Sequence, residues 1–152
     1  LAVAGGRGNT ERYTRFTHDE QITMMPLWRI FRSPLMIGAE MRRNDEFTLS
    51  LLTNSELIDM LKNSHSARQL RRDETQGRGE IIWAAKGEEC KYIALFNTDE
   101  AEREISFDIT DIAVGGREYK ARDLWAHEEY PLDGGELKAK VNAHGARLFK
   151  IM

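Results

Sequence analysis

The 152-residue sequence lacks most of the features that would assign a chain to a specialised class. It holds one cysteine, Cys90, so no internal disulfide can form. Cys90 is expected within a strand and reads as a buried or half-buried thiol rather than a nucleophile. No apolar run reaches the roughly 18 residues that cross a bilayer, and no signal-peptide pattern is present, which leaves the compartment open. Net charge is -3, with no stretch of Lys and Arg that would track a phosphate backbone. Arg68, Arg71 and Arg72 do cluster, but Asp73 and Glu74 follow at once, as on a solvated mixed-charge edge. The histidines, His18, His65, His127 and His144, stand too far apart to suggest the three or four converging ligands of a metal site. There is no Gly-x-Ser-x-Gly elbow, no repeat and no low-complexity tract. Membrane spanning, nucleic-acid binding and metal chemistry are thereby set aside, and no cofactor is called for.

What is present is ordinary globular material, 41% apolar and 31% charged. The most informative stretch is Thr17 to Gly38. Thr17 and Glu20 form a capping-box pattern, with Asp19 adding negative charge to the first helical turn. Ile22, Met25, Leu27, Trp28 and Phe31 follow at roughly helical spacing. Pro26 should kink this helix or divide it, and Pro34 should end it by forcing Ser33 out of the α region. Leu35-Met36-Ile37, closed by Gly38, reads as a short buried strand. Helix, sharp turn and buried strand together make one step of an α/β barrel or layered sheet, yet a buried parallel strand needs neighbours on both sides. Asp45 caps a second helix through Phe47, Leu49, Leu51 and Leu52. Thr53-Asn54-Ser55-Glu56 is a second capping box, opening a short helix through Leu57, Ile58 and Leu61. Lys62 to Arg68 is polar and reads as a linker. Gly5-Gly6-Arg7-Gly8 fits neither phosphate-binding fingerprint and is read as a glycine-rich strand end.

The character changes near Gln69. Ile81 to Ala85 and Tyr92 to Phe96 are β-rich runs, while Ile105, Phe107 and Ile109 alternate with polar residues. Gly115-Gly116, Asp133-Gly134-Gly135 and His144-Gly145 punctuate further short runs. Six to eight strands at this spacing predict an antiparallel sandwich.

Two residues are weak candidates for a site. Glu40 lies two residues past the carboxyl end of the expected barrel strand, where barrel active sites are built; the plainer reading is an ion pair with Arg42 or Arg43. Trp83 and Trp125 are indoles that could stack on a sugar. Trp83 lies inside an apolar run and reads as core, whereas Trp125 precedes a turn and suits an exposed role better. No catalytic residue is assigned.

Three segments in order, Phe16 to Trp28, Ser33-Pro34-Leu35-Met36-Ile37-Gly38, and Leu51-Leu52-Thr53-Asn54-Ser55-Glu56-Leu57-Ile58, resemble the end of the catalytic barrel of melibiase-like α-galactosidases, glycoside hydrolase family 27. Trp83-Ala84, Tyr92 to Asn97, Arg122-Asp123-Leu124-Trp125 and His144-Gly145 are similar to that family's C-terminal antiparallel domain. The resemblance implies α/β plus all-β architecture: the terminal helix-strand-helix part of a (β/α)8 barrel over residues 1–66, then a C-terminal antiparallel β-sandwich over 67–152. It also implies a parent that hydrolyses terminal α-galactosides with retention, using two aspartates from strands that precede the seventh. No position here corresponds to either aspartate, so the chain by itself is expected to be inactive. Departures follow Ile58, where Asp59-Met60-Leu61-Lys62-Asn63 replaces Asn-Gln-Asp-Pro-Leu-Gly, and at Glu40, where the family commonly has Asp. The sequence opens on Leu1 rather than Met and reads as part of something longer. A non-catalytic carbohydrate-binding or structural β-module is the alternative. Leu35, Met36 and Ile37 are expected to pack on the sandwich or to drive self-association.

Overall fold

The computed structural model describes residues 2–3, 12–38, 41–75, 79–112 and 118–152. Gly5 to Gly8, Glu40 and Gly115-Gly116 lie outside the described residues. A short antiparallel pair, β1 (Ala2–Val3) and β2 (Arg12–Tyr13), leads into the helices. Helix α1 (His18–Ile30) opens on the expected capping box: the Glu20 amide donates to Thr17 Oγ1 at 3.2 Å and the Thr17 amide to Glu20 Oε2 at 2.7 Å. Pro26 is buried inside it and the helix continues past it as one element. Its stop comes before Pro34. Arg32 adopts φ 54°, which lets its amide donate to Arg29 O and the Ser33 amide donate to Trp28 O at 2.9 Å. This is a Schellman closure with arginine in the position glycine usually holds. The buried face is also different from the expected one: Met25, Pro26, Arg29 and Ile30 turn inward, while Phe31 is 48% exposed.

Leu35-Met36-Ile37 is not a buried strand. It carries no strand structure, and Met36 is 84% exposed. The physical reason is that no described strand pairs with it, so its backbone groups have no ladder to join.

Helix α2 (Glu46–Thr53) is capped as expected by Asp45, whose Oδ1 accepts from the Thr48 amide at 2.7 Å. Helix α3 (Ser55–Asn63) is capped by Asn54 rather than Thr53: Asn54 Oδ1 accepts from the amides of Glu56 and Leu57. Thr53 instead closes α2, its hydroxyl donating to Leu49 O. The expected linker is absent, because α3 runs to Asn63 and β3 (His65–Asp73) begins after the single buried residue Ser64.

Strand β3 starts a run of eight, with β4 (Glu80–Lys86), β5 (Lys91–Asn97), β6 (Arg103–Asp108), β7 (Tyr119–Asp123), β8 (Glu128–Leu132), β9 (Glu136–Val141) and β10 (Ala146–Ile151). Six form an antiparallel sheet in the order β3-β4-β5-β10-β7-β8, and β6 pairs with β9. Period-two alternation sorts the side chains. Ile82, Ile93, Leu95, Phe149 and Ile151 face the two-stranded sheet and meet Ile105, Phe107, Leu137 and Val141. Ala85, Tyr92, Ala94, Phe96 and Leu148 face the other way and meet Ile30, Leu57 and Met60 from the helices. The central strand β5 is therefore covered on both sides, which is why its sequence is an unbroken apolar run. Full burial of residues such as Ile93 and Leu95 is worth about 1.5–3 kcal/mol each. The result is an antiparallel β-sandwich with helices laid on the outer face of its larger sheet. Cys90 is buried in the turn just before β5 rather than within the strand.

Candidate functional site

Two places combine polar and aromatic side chains from distant parts of the chain. The first is the junction between the start of α3 and the β7–β8 turn. Asn54, while capping α3, donates through Nδ2 to Leu124 O at 2.8 Å. Glu56 in the first turn of α3 accepts from Arg122 Nε at 2.7 Å and Nη2 at 2.8 Å, and lies 2.6 Å from His127 Nδ1. The forked hydrogen bond from Arg122 holds the Glu56 carboxyl below its ordinary pKa, against an opposing push from partial burial and with a smaller contribution from His127. Asp123 is fully buried and closes the turn itself, with Oδ1 accepting from the amides of Trp125 and Ala126 and Oδ2 held by Arg147. Trp125 is half-buried against the helix-side core, its indole nitrogen enclosed without a hydrogen-bond partner among the described residues. Its place before a turn leaves the ring partly exposed. Glu56 and Asp123 are held by arginines, by His127 and by backbone amides, so the junction fastens helix to sheet.

The second place is a cleft of about 380 Å³ lined by α1, by β3 and β4 and by the end of β5. One wall is Phe31 and Trp83, whose rings meet edge to face with centroids 4.5 Å apart. Trp83 is thus half-buried and shared between core and cleft. Gln69, Arg72, Glu20 and His144 stand around the opening. Thr23 on α1 donates to His144 O at 2.7 Å, and Asn142 donates to Asp19 Oδ1 at 3.0 Å, so the helix is anchored to the β9–β10 turn beside the cleft.

Glu40 lies outside the described residues. Among the described residues, no group of three or more His, Cys, Asp and Glu side chains converges as a metal site would require. No helix there is long and apolar enough to cross a membrane. The Glu56–Arg122–His127 cluster went unread in the sequence because its members are separated by 66 and 71 positions. Its only signal was that both segments, Asn54 to Glu56 and Arg122 to Trp125, carry recognisable text.

Comparison with known proteins supplies the context for this arrangement. Residues 78–151 match the family described as the α-galactosidase C-terminal β-sandwich domain. The chain is 24% identical to an α-galactosidase of Cyamopsis tetragonoloba, an alignment covering 99% of this chain and 35% of that protein. It is 28% identical to one of Coffea arabica, over 97% of this chain and 36% of the relative. The chain thus spans about a third of the length of the curated relatives it matches. Among solved structures, a GH27 β-L-arabinopyranosidase of Geobacillus stearothermophilus is 42% identical with a TM-score of 0.85, over 95% of this chain and 32% of that one. The α-galactosidase I of Mortierella vinacea, at 19% identity, shares the fold with a TM-score of 0.81 over 90% of this chain and 36% of its own. In fold, in sequence and in the order of its segments, the chain matches the C-terminal part of glycoside hydrolase family 27 enzymes.

Proposed function

We propose that this chain closes and braces the catalytic barrel of a glycoside hydrolase that removes terminal α-galactosides, with residues 1–66 completing the barrel and 67–152 forming the sandwich behind it. The observation that carries this reading is an asymmetry in how the helical half is held. Asn54, Glu56, Thr23 and Asp19 tie α1 and α3 to the sandwich, while Leu35 to Ile37 between them has no paired strand among the described residues and leaves Met36 exposed. A segment held at both flanks and uncovered in the middle suits a barrel strand awaiting its neighbours. The catalytic aspartates that such an enzyme needs would come from elsewhere, since a retaining glycosidase uses two carboxylates about 5 Å apart. The test is to read the coding region before Leu1. A frame continuing through further strands that end in aspartates, whose product hydrolyses p-nitrophenyl α-D-galactopyranoside, supports the proposal. A start codon immediately before Leu1 leaves a non-catalytic carbohydrate-binding or structural module.

The 42% identity to a β-L-arabinopyranosidase favours a second reading of the substrate. β-L-Arabinopyranose has the ring stereochemistry of α-D-galactopyranose without the hydroxymethyl carbon, so the two p-nitrophenyl glycosides assayed side by side separate the readings.

A further inference from the structure

The cleft between α1 and the β3–β4 edge lies apart from the Glu56–Arg122–His127 junction and joins an aromatic wall to a polar rim. It is an open groove of about 380 Å³. Trp83 and Phe31 form an apolar wall, and side chains with planar polar groups surround the mouth. Each charged group on that rim already has a hydrogen-bond partner. Glu20 is occupied by the Thr17 amide, Arg72 by Glu74 at 2.7 Å, and His144 by Glu100 at 3.1 Å. A neutral polyhydroxyl ligand can both donate to and accept from such groups. The anchoring of α1 through Thr23 and Asp19 keeps the two walls in register, which lowers the ordering cost of binding.

We infer that this cleft is an accessory binding site for a neutral saccharide of the galactopyranoside type, stacked on Trp83 with its hydroxyls toward Gln69 and Arg72. The axial 4-hydroxyl of galactose leaves the hydrogens of C3, C4, C5 and C6 together on one face, an apolar patch that an indole covers well. The choice of sugar rests on the family reading above; the site itself rests on the cleft. Binding here needs no catalytic residue, so its failure and the failure of the barrel proposal are separately visible.

The test is titration of the 152-residue chain with methyl α-D-galactopyranoside, followed by amide and indole NMR shifts. The expected result is saturable shifts at the Trp83 indole and the Gln69 side-chain amide, with the Trp125 indole unmoved. Arg72→Ala, an exposed change that leaves the core intact, should weaken binding about fivefold, the equivalent of one hydrogen bond. Trp83→Ala should remove it, and unchanged dispersion of the remaining spectrum shows that the fold survives. Shifts centred on Trp125, or none at all with wild-type protein at high sugar, overturn the proposal. An equal response to methyl α-D-glucopyranoside overturns the galactopyranoside assignment.

Discussion

Arg29 carries a clear cost among the described residues. It is 1% exposed, and none of its guanidinium nitrogens has a hydrogen-bond partner among the described residues. Desolvation by burial accordingly lowers its pKa. An uncompensated buried charge typically destabilises by several kcal/mol, and replacing it with an apolar side chain of similar volume is often stabilising. Arg29→Met should therefore raise the stability of this chain by about 1–3 kcal/mol, read as a higher urea midpoint at unchanged slope. A lower midpoint would mean that the guanidinium has a partner that holds it. Three residues on, Arg32 carries a different cost. Its left-handed conformation, φ 54°, is one that glycine adopts freely and other residues adopt at a cost of about 1 kcal/mol. Arg32→Gly offsets part of that gain through the added freedom of the unfolded chain. The net expectation is a small rise, a few tenths of a kcal/mol, in thermal or urea unfolding; a clear loss would show that the arginine side chain contributes a contact of its own.

At the scale of elements, the start of α3 is the joint on which the helical half depends. Glu56 and Arg122 are about three-quarters shielded from water, with side-chain exposures of 25% and 28%, and their forked geometry is the stronger class of ion pair. Glu56→Gln should cost about 1–2 kcal/mol. The sign of the pH effect follows from the lowered carboxyl pKa. The folded value lies below the ordinary 4.5, so the contribution is complete above that pH and is lost as the pH falls through the folded value. Urea midpoints measured across the acid range should fall more steeply for the wild-type chain than for Glu56→Gln; parallel curves would falsify the assignment of this pair as the joint. The same joint shows what a sequence reveals and what it hides. The Thr17–Glu20 capping box and the Asp45 cap were legible because each is a contact within one helical turn. At Thr53-Asn54-Ser55-Glu56 the local pattern named the wrong cap, because Glu56 is drawn to Arg122 and Asn54 to Leu124 O, partners some seventy positions away. Period-two alternation exposed the strands, and the unbroken run at β5 marked the one covered on both faces, whereas Leu35 to Ile37 carried the same apolar signal without the neighbours that make such a run a strand.

For the molecule as a whole, the distribution of uncovered apolar surface decides how the chain behaves in solution. The large hydrophobic residues exposed among those described are Tyr13, Phe16, Phe31, Met36, Met41, Leu49 and Met152. All but Met152 fall between residues 13 and 49, in the helical half and its connections, while the sandwich half presents charged edges such as Arg71–Glu80 and Lys138–Glu136. The helices do reach the sandwich, through Ile30, Leu57 and Met60, so packing onto it satisfies their inner faces and leaves the outer ones bare. Exposed apolar side chains promote association, because each square ångström removed from water is worth about 25 cal/mol. The expected outcome is concentration-dependent dimerisation of this chain in sedimentation velocity, weakened by Met36→Lys. Because Met36 is 84% exposed, that substitution should leave the unfolding midpoint unchanged, which separates loss of association from loss of fold. A wild-type chain that stays monomeric at several hundred micromolar would sink the prediction. It would also weaken the case that this face is built to be covered, and with it the argument that Leu35 to Ile37 belongs against barrel neighbours. Dimerisation that Met36→Lys leaves untouched would move the contact to another surface, with the exposed edge of β3 next to be tested.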